Sequence, residues 1–265
     1  MQLYSIASGS SGNCIYVGTK ESGVLVDVGI SMKRIRDGLA QEGFSLEAMK
    51  AILITHEHID HVSGLGPVLR KVPIPVYATR QTIDAIWKKG NMAHIDVDLF
   101  HEIEPEEEFQ IGDMRVMPIS ISHDAANPVC YTICGNNKKI GIATDTGCYT
   151  KNMVEHLKKC NSLLLEANHD INLLQVGKYP YALKMRILGE QGHLSNDTSA
   201  RLLQELLHPG LQHVVLGHLS EENNFPELAY RTVSYELEQN EFWNTLNTEL
   251  LVAHRKEPTR LLTIK

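Results

Sequence analysis

Cysteine is scarce in this sequence: there are five in 265 residues, odd in number and irregularly spaced. That argues against a disulfide framework and favours a reducing compartment. Cys130 and Cys134 raise the idea of a metal pair. No second close pair exists, however, and the strand-like Tyr131-Thr132-Ile133 lies between them, so buried apolar use is expected. No apolar run approaches the length of a membrane span. Met1-Gln2-Leu3 enters a strand pattern with neither a basic nor an apolar leader, so a cytoplasmic protein without a membrane partner is expected. Basic charge is also short. The formal net charge of −7 is not the broad positive balance of a strong nonspecific DNA binder, which leaves a local track or a metal-dominated phosphate site. A low-complexity linker is missing as well, and a single domain over residues 1–265 is expected.

What the sequence does have is concentrated in Ala51–His61, AILITHEHIDH. The apolar run Ala51-Ile52-Leu53-Ile54 reads as a buried strand, and the residues after Thr55 as the loop leaving its end. Alternate residues of an extended segment share a face, so His56 and His58 can point at one metal. A following turn would let Asp60 and His61 reach a second. Imidazole with carboxylate suits zinc, iron or manganese better than calcium or magnesium. Further donors follow other strand-like runs: His123 after 115–122, Asp145 after 140–144, and His218 after 213–217. Taken singly, each has an ordinary structural use. Their repeated placement at strand ends points to a composed site.

Other segments read as follows. Leu3–Ile6, Cys14–Val17 and Val24–Val28 are strands, and the Gly/Ser turn at 8–13 offers N–H groups and hydroxyls to an anion or is simply a tight turn. Asp27 either orients a metal-binding histidine or bonds to its own turn. A helix capped by Ser31 ends at Gly43, and residues 62–72 form a broken helical segment. A further helix follows Thr79. The acidic stretch 97–111 is a solvated strand connection that would repel DNA. Asn136-Asn137 turns a hairpin between 129–134 and 139–144. Helices are expected over 151–159, over 197–207 with Leu202, Leu203, Leu206 and Leu207 inward, and from Pro226; strands over 162–166, 249–253 and 261–264. Strands early and helices late in each half match an α+β fold of two packed sheets flanked by helices.

The series His56-x-His58-x-Asp60-His61, His123, Asp145 and His218 resembles the signature of the metallo-β-lactamase superfamily over essentially the full chain. Ser8-Gly9-Ser10-Ser11-Gly12-Asn13, Glu166-Ala167-Asn168-His169-Asp170 and Gly192-His193-Leu194-Ser195-Asn196 are similar to segments of its bacterial YycJ/WalJ-like branch, a small group of DNA exonucleases. The resemblance implies a four-layer αββα sandwich and two divalent ions, zinc or manganese. His56, His58 and His123 would hold one ion and Asp60, His61 and His218 the other, with Asp145 as the bridging, catalytically essential carboxylate. A carboxylate can span ions roughly 3.5–4 Å apart. His193 resembles the branch's additional active-site histidine, a general acid, and Glu166 the carboxylate that orients it; a purely structural His193 is the alternative.

The fold alone does not name the substrate, since it carries several hydrolytic chemistries. A second-metal cysteine, as in β-lactamase-like sites, is replaced here by Asp145, and the large inserted nucleic-acid domain of ribonuclease J-like enzymes has no room. The expected activity is phosphodiester hydrolysis, foremost a DNA exonuclease leaving 5′-phosphate products. DNA, especially single-stranded ends, is then the partner, with RNA left open. Ser10, Ser11, Asn13 and His169 are candidate substrate contacts. Lys138, Lys139, Lys151, Lys158, Lys159, Lys178, Lys184 and Arg186, interleaved with Tyr149, Tyr179 and Tyr181, make either a modest single-strand track or ordinary solvated faces. A small-molecule or cyclic phosphodiesterase and a metal-stabilised nucleic-acid-binding or regulatory protein are the alternatives.

Overall fold

Short apolar runs punctuated by turn residues make strands that must bury at least one face. The computed structural model describes residues 1–90 and 92–265 and stacks these strands as two seven-stranded sheets. In chain order they are β1 (Gln2–Ala7), β2 (Cys14–Gly18), β3 (Gly23–Val26), β4 (Ala51–Leu53), β5 (Val76–Thr79), β6 (Phe100–Ile103) and β7 (Phe109–Ile111). The second half adds β8 (Met114–Ser120), β9 (Val129–Gly135), β10 (Lys138–Ala143), β11 (Ser162–Glu166), β12 (His213–Gly217), β13 (Glu249–Val252) and β14 (Leu262–Thr263). One sheet has the order β14-β1-β2-β3-β4-β5-β6, the other β13-β12-β11-β10-β9-β8-β7. Strands β3 to β6 are parallel, as are β10 to β13, so their carboxyl ends gather along one edge of each sheet.

The helices are α1 (Met32–Gln41), α2 (Ile59–Val62), α3 (Leu65–Leu69), α4 (Arg80–Lys88), α5 (Lys151–Leu157), α6 (Ile171–Val176), α7 (Tyr181–Leu188), α8 (Asn196–Leu206) and α9 (Pro226–Glu238). Three apolar layers hold the assembly. Ile15, Val26 and Leu53 from the first sheet meet Tyr131, Ile142 and Val215 from the second in a central layer. Ile35, Leu65 and Ile83 pack helices on the outer face of the first sheet. Met153, Leu203 and Val233 do the same for the second. The result is the four-layer αββα sandwich.

Local signals explain most boundaries. The Ser31 side chain accepts from the Arg34 N–H, and Ser195 caps α8 through the Thr198 N–H. Asn136 and Asn137 both take positive φ, 50° and 57°, as a two-residue hairpin with the strands' own twist requires. Thr79 holds the first position before α4, yet its hydroxyl bonds Thr82 and the Asn127 carbonyl rather than a helix N–H. Leu207 lies just beyond the last turn of α8, half-buried and packed against the same core. Helices α6 and α7 were not expected. Both are rich in apolar residues, yet only Leu174 and Ile187 are buried, while Val176, Tyr181, Met185 and Leu188 are exposed. Among the described residues no helix is long and apolar enough to cross a membrane.

Candidate metal centre

Strand β4 delivers the histidine loop, and the chain turns into α2 directly after His58, whose backbone is extended (φ −60°, ψ 151°) at the start of that helix. This change from strand to helix separates the donors. His56, His58 and His123 form one group; Asp60, His61, Asp145 and His218 form a second; within each group the ligand atoms lie within 4.8 Å of one another. Asp145 sits among four imidazoles. Its Oδ1 is 3.2 Å from His218 Nε2 and 3.9 Å from His123 Nε2, and its Oδ2 is 3.3 Å from His61 Nε2. The close packing of backbone against this turn demands a glycine at 29, where a Cβ would stand 1.6 Å from the Asp60 carbonyl oxygen.

The imidazoles are held from behind. Nδ1 of His61 lies 2.7 Å from Asp27 Oδ2, Nδ1 of His123 lies 3.0 Å from the Gly192 carbonyl, and Nδ1 of His56 lies 3.0 Å from the Thr55 hydroxyl. Nδ1 of His218 faces Asn13 Oδ1 at 3.3 Å. These contacts leave the Nε2 atoms turned to the centre, the arrangement that fixes tautomer and direction in metal-binding histidines. His58 is the exception, presenting Nδ1 to His123 Nε2 at 3.3 Å. Asp27 also accepts from the Thr55 N–H and hydroxyl, so its carboxylate ties the loop to β3. Asp27, Asp145 and His218 have φ of 60°, 59° and 54°, left-handed values that cost non-glycine residues free energy and persist here in all three strand exits.

Two atoms point to an ion. His56 Nε2 is buried and makes no hydrogen bond, and the buried Asp145 Oδ2 has only its contact with His61 Nε2; a buried polar group left unmatched costs roughly 1–3 kcal/mol unless something binds there. Burial and neighbouring imidazoles hold His56 well below the usual histidine range, and burial lowers His58 and His218. These rings are therefore neutral and ready to coordinate. Burial opposes the charged form of His61, but Asp145 and Asp27 raise it well above the usual value. Uptake of a cation at Nε2 of His61 must release that proton. The donor set fits divalent metal ions.

Beside the cluster, His193 Nδ1 is 2.7 Å from Glu166 Oε1 and 3.8 Å from Asp145 Oδ1. Glu166 is fully buried at the end of β11, and its Oε2 accepts from the Thr146 and Leu194 N–H groups. Burial alone would lower His193, yet the charge and hydrogen bond of Glu166, aided by Asp145 and Asp60, raise it to about 9. Glu166 and His193 also lie within ligand reach of Asp145 and His218. Both Glu166 oxygens are already hydrogen-bonded within the protein.

Residues 23–219, which contain all of these donors, match the family described as Beta-lactamase superfamily domain. The chain belongs to this superfamily. Over 256 residues it is 37% identical to the protein named exodeoxyribonuclease YycJ of Bacillus anthracis, covering 97% of this chain and 96% of that one. It is 39% identical over 237 residues to exodeoxyribonuclease WalJ of Streptococcus pneumoniae serotype 2 (strain D39), covering 89% and 88%. The metallo-β-lactamase fold protein YhfI from Bacillus subtilis superposes with a TM-score of 0.69 over 97% of this chain and 98% of that one, at 14% identity, a likeness of fold.

Within this superfamily member the candidate substrate contacts divide. Ser10 and Ser11 are exposed on the turn closed by the Gly12 N–H to Gly9 carbonyl bond. Asn13 is fully buried, bonded to the Gly9 N–H and to the Asp60 carbonyl, so it steadies the cluster and does not face a substrate. His169 is also buried, with neither ring nitrogen hydrogen-bonded, and burial lowers it to about 4.

The basic track is not one surface. Lys138, Lys139 and Lys159 line a recess with Arg115 where β10 begins, and six residues of strand, about 20 Å, separate that end from Asp145. Arg186 is at the metal end, paired with Asp124 next to His123. Sequence reading also passed over Asn168, Asn196 and Asn224. These buried amides bind the 166–169, 193–196 and 218–224 segments together: Asn224 Nδ2 donates to the Ala167 carbonyl at 2.9 Å and to Asn196 Oδ1 at 2.8 Å, and Asn168 Nδ2 to the His218 carbonyl at 2.9 Å. Their partners lie 28 to 57 residues away, so no local pattern marks them.

Proposed function

We propose that this metal-dependent hydrolase is a phosphodiesterase that removes nucleotides from DNA ends and leaves 5′-phosphate products. The observation that carries this reading is the Glu166–His193 pair, 2.7 Å apart, set directly against the seven-donor cluster. Hydrolysis of a natural phosphodiester must protonate a poor alkoxide leaving group, and a charged histidine beside the reacting phosphorus meets that need. Full-length similarity to two proteins named exodeoxyribonucleases supports DNA as the substrate.

His56, His58 and His123 would hold one ion and Asp60, His61 and His218 the other, with Asp145 shared between them; zinc or manganese suits this set. When bound, the ions supply Lewis-acid activation of water and offset charge on the phosphoryl group. We assign Asp60, whose side chain keeps 17% exposure while Oδ2 faces His61, a catalytic part through its place in the second ion's donor set. His193 keeps Nδ1 on Glu166 and gives its other proton to the departing deoxyribose oxygen. We take residues 1–265 as one domain, joined by the apolar layer between the sheets. A cytoplasmic setting agrees with five free cysteines.

The test is product analysis on end-labelled single- and double-stranded DNA and RNA with zinc- or manganese-loaded protein, and Asp145→Ala as the control. Processive loss of 5′-mononucleotides, absent in the variant, is expected. No cleavage of any nucleic acid by the loaded protein would sink the nuclease reading. Turnover confined to cyclic or other small phosphodiesters would favour the second reading, which the net charge of −7 recommends. Bound metal without any turnover would leave a binding protein.

A further inference from the structure

Next to the metal cluster, on the side away from His123, lies a cleft of about 470 Å³, inside the range of roughly 300–1,000 Å³ typical of small-ligand sites. Its walls come from the ends of β1 and β13 and from the segment that follows β12; Ser8, Leu219, Phe225, Arg255 and Lys256 are among them. It touches the cluster through His218: the Ser8 hydroxyl accepts the His218 N–H at 2.8 Å, and Leu219 is the next residue in the chain. Nothing assigned so far uses it.

Two features of the cleft have the chemistry of nucleotide recognition. Phe225 is 50% exposed. One exposed aromatic is unremarkable by itself, but this one stands on a rigid mount. Its N–H donates to Asn224 Oδ1 at 3.0 Å, and the Asn224 amide is anchored to Ala167, Asn168 and Asn196. The same buried amides hold the Glu166 and His193 segments, so the ring keeps a set position relative to the proposed acid. Arg255 is the second feature. It crosses Gly9, where a Cβ would meet its Cγ at 2.7 Å, and it donates to the Leu219 carbonyl at 3.1 Å. Glu221 lies 3.3 Å from its Nη1. This places a guanidinium between the cleft and the exposed Ser10-Ser11 turn. Glu221 and Glu257 balance Arg255 and Lys256 across the walls, so the cleft lacks the excess charge that would hold a long run of backbone. A flat π-face with one fixed cation suits a single base and its phosphate.

We propose that this cleft seats the terminal nucleotide of the strand being cut, with its base on the Phe225 ring and its phosphate towards Arg255. The proposal rests on the phosphodiesterase reading and adds the groove that makes cleavage terminal. Phe225 is a binding residue here, outside the metal and proton-transfer machinery.

The experiment compares wild type, Phe225→Ala and Phe225→Trp on single-stranded oligonucleotides, on the same oligonucleotides with an abasic terminal residue, and on the aryl diester methyl p-nitrophenyl phosphate, which has no base and whose only ring is the leaving group. Phe225→Ala should lower kcat/KM on DNA about 5–100-fold, mainly through KM, as expected for loss of one base–aromatic stack. Phe225→Trp should restore it, and the aryl diester should change by no more than about twofold. The abasic end should slow wild type by a similar factor and leave Phe225→Ala little affected. Equal losses on DNA and the aryl diester, or abasic and Phe225→Ala effects that multiply independently, would overturn the nucleotide cleft while leaving the nuclease intact. A wild-type protein that cleaves the aryl diester but no DNA would overturn both readings.

Discussion

Strand β10 begins at Lys138 and ends just before Asp145, and its two ends have opposite chemistries. At the start, Lys138 and Lys139 join Arg115 and Lys159 in an open recess. At the finish, Asp145 is buried among His61, His123, His193 and His218. The cations of the first end solvate themselves or bond locally: Lys139 Nζ donates to the His156 and Lys158 carbonyls, and Lys158 pairs with Glu155 at 2.6 Å. The groups of the second end are oriented by residues from distant segments: Asp27 and Thr55 hold His61, Asn13 faces His218 and Glu166 holds His193. Closeness in sequence put the lysines of the first end on one list with Arg186, which stands beside Asp124 at the second. Strand direction separates them, because parallel strands send all their carboxyl ends to one side and all their amino ends to the other.

The sharpest way to probe this contrast is His193→Ala, which removes function from the metal end without removing a proposed ligand. Single-turnover cleavage of DNA should fall roughly 10²–10⁴-fold, the usual contribution of a general acid, while metal content stays at the wild-type level. An aryl phosphodiester, whose leaving group needs no proton, should be far less sensitive. His193 is raised to about 9, so it is charged and able to donate at neutral pH. The DNA rate should therefore decline as pH rises towards that value, and the decline should set in lower once cations offset the negative field of Asp145 and Asp60. Equal slowing of both substrates, or loss of an ion from the variant, would make His193 a ligand or positioning group.

A smaller effect is expected one layer behind the centre. Asp27→Asn keeps the shape but removes the charge 2.7 Å from His61 Nδ1, and metal affinity measured by chelator competition should fall about 10–100-fold. Affinity in wild type should rise with pH, because the proton that Asp145 and Asp27 hold on His61 has to leave as the ion enters. A pH-independent affinity, or an unchanged one in Asp27→Asn, would show that His61 is not held in this way. The least effect belongs to the other end of the strand. Lys138→Glu combined with Lys159→Glu should leave DNA turnover within about twofold, because both lie at the strand end about 20 Å from Asp145. A large loss there would restore a basic track that runs the length of the sheet and would break the comparison.

The sequence by itself determined the metal chemistry and most of the elements. Four donors in Thr55–His61 and one each at 123, 145 and 218 follow apolar runs, and the turn expected after the extended His56–His58 segment already parts Asp60 and His61 from them. Strands, hairpin and caps were legible because their causes are local: Asn136-Asn137, Ser31 and Ser195 act on neighbours within a few residues. Tertiary structure decided what depends on distant partners. Helices α6 and α7 carry apolar residues that the fold leaves largely exposed, so composition alone did not mark a core-facing side. Asn13 and His169 look like free polar groups until the packing closes over them. The Asn168–Asn196–Asn224 network, the charge on His193 and the cleft at Phe225 exist only because strand exits hundreds of residues apart, such as Ser8 and His218, meet at one edge. A polar side chain's role is set by what it can bond, and for buried groups the bonding partners come from the fold rather than from the adjoining chain.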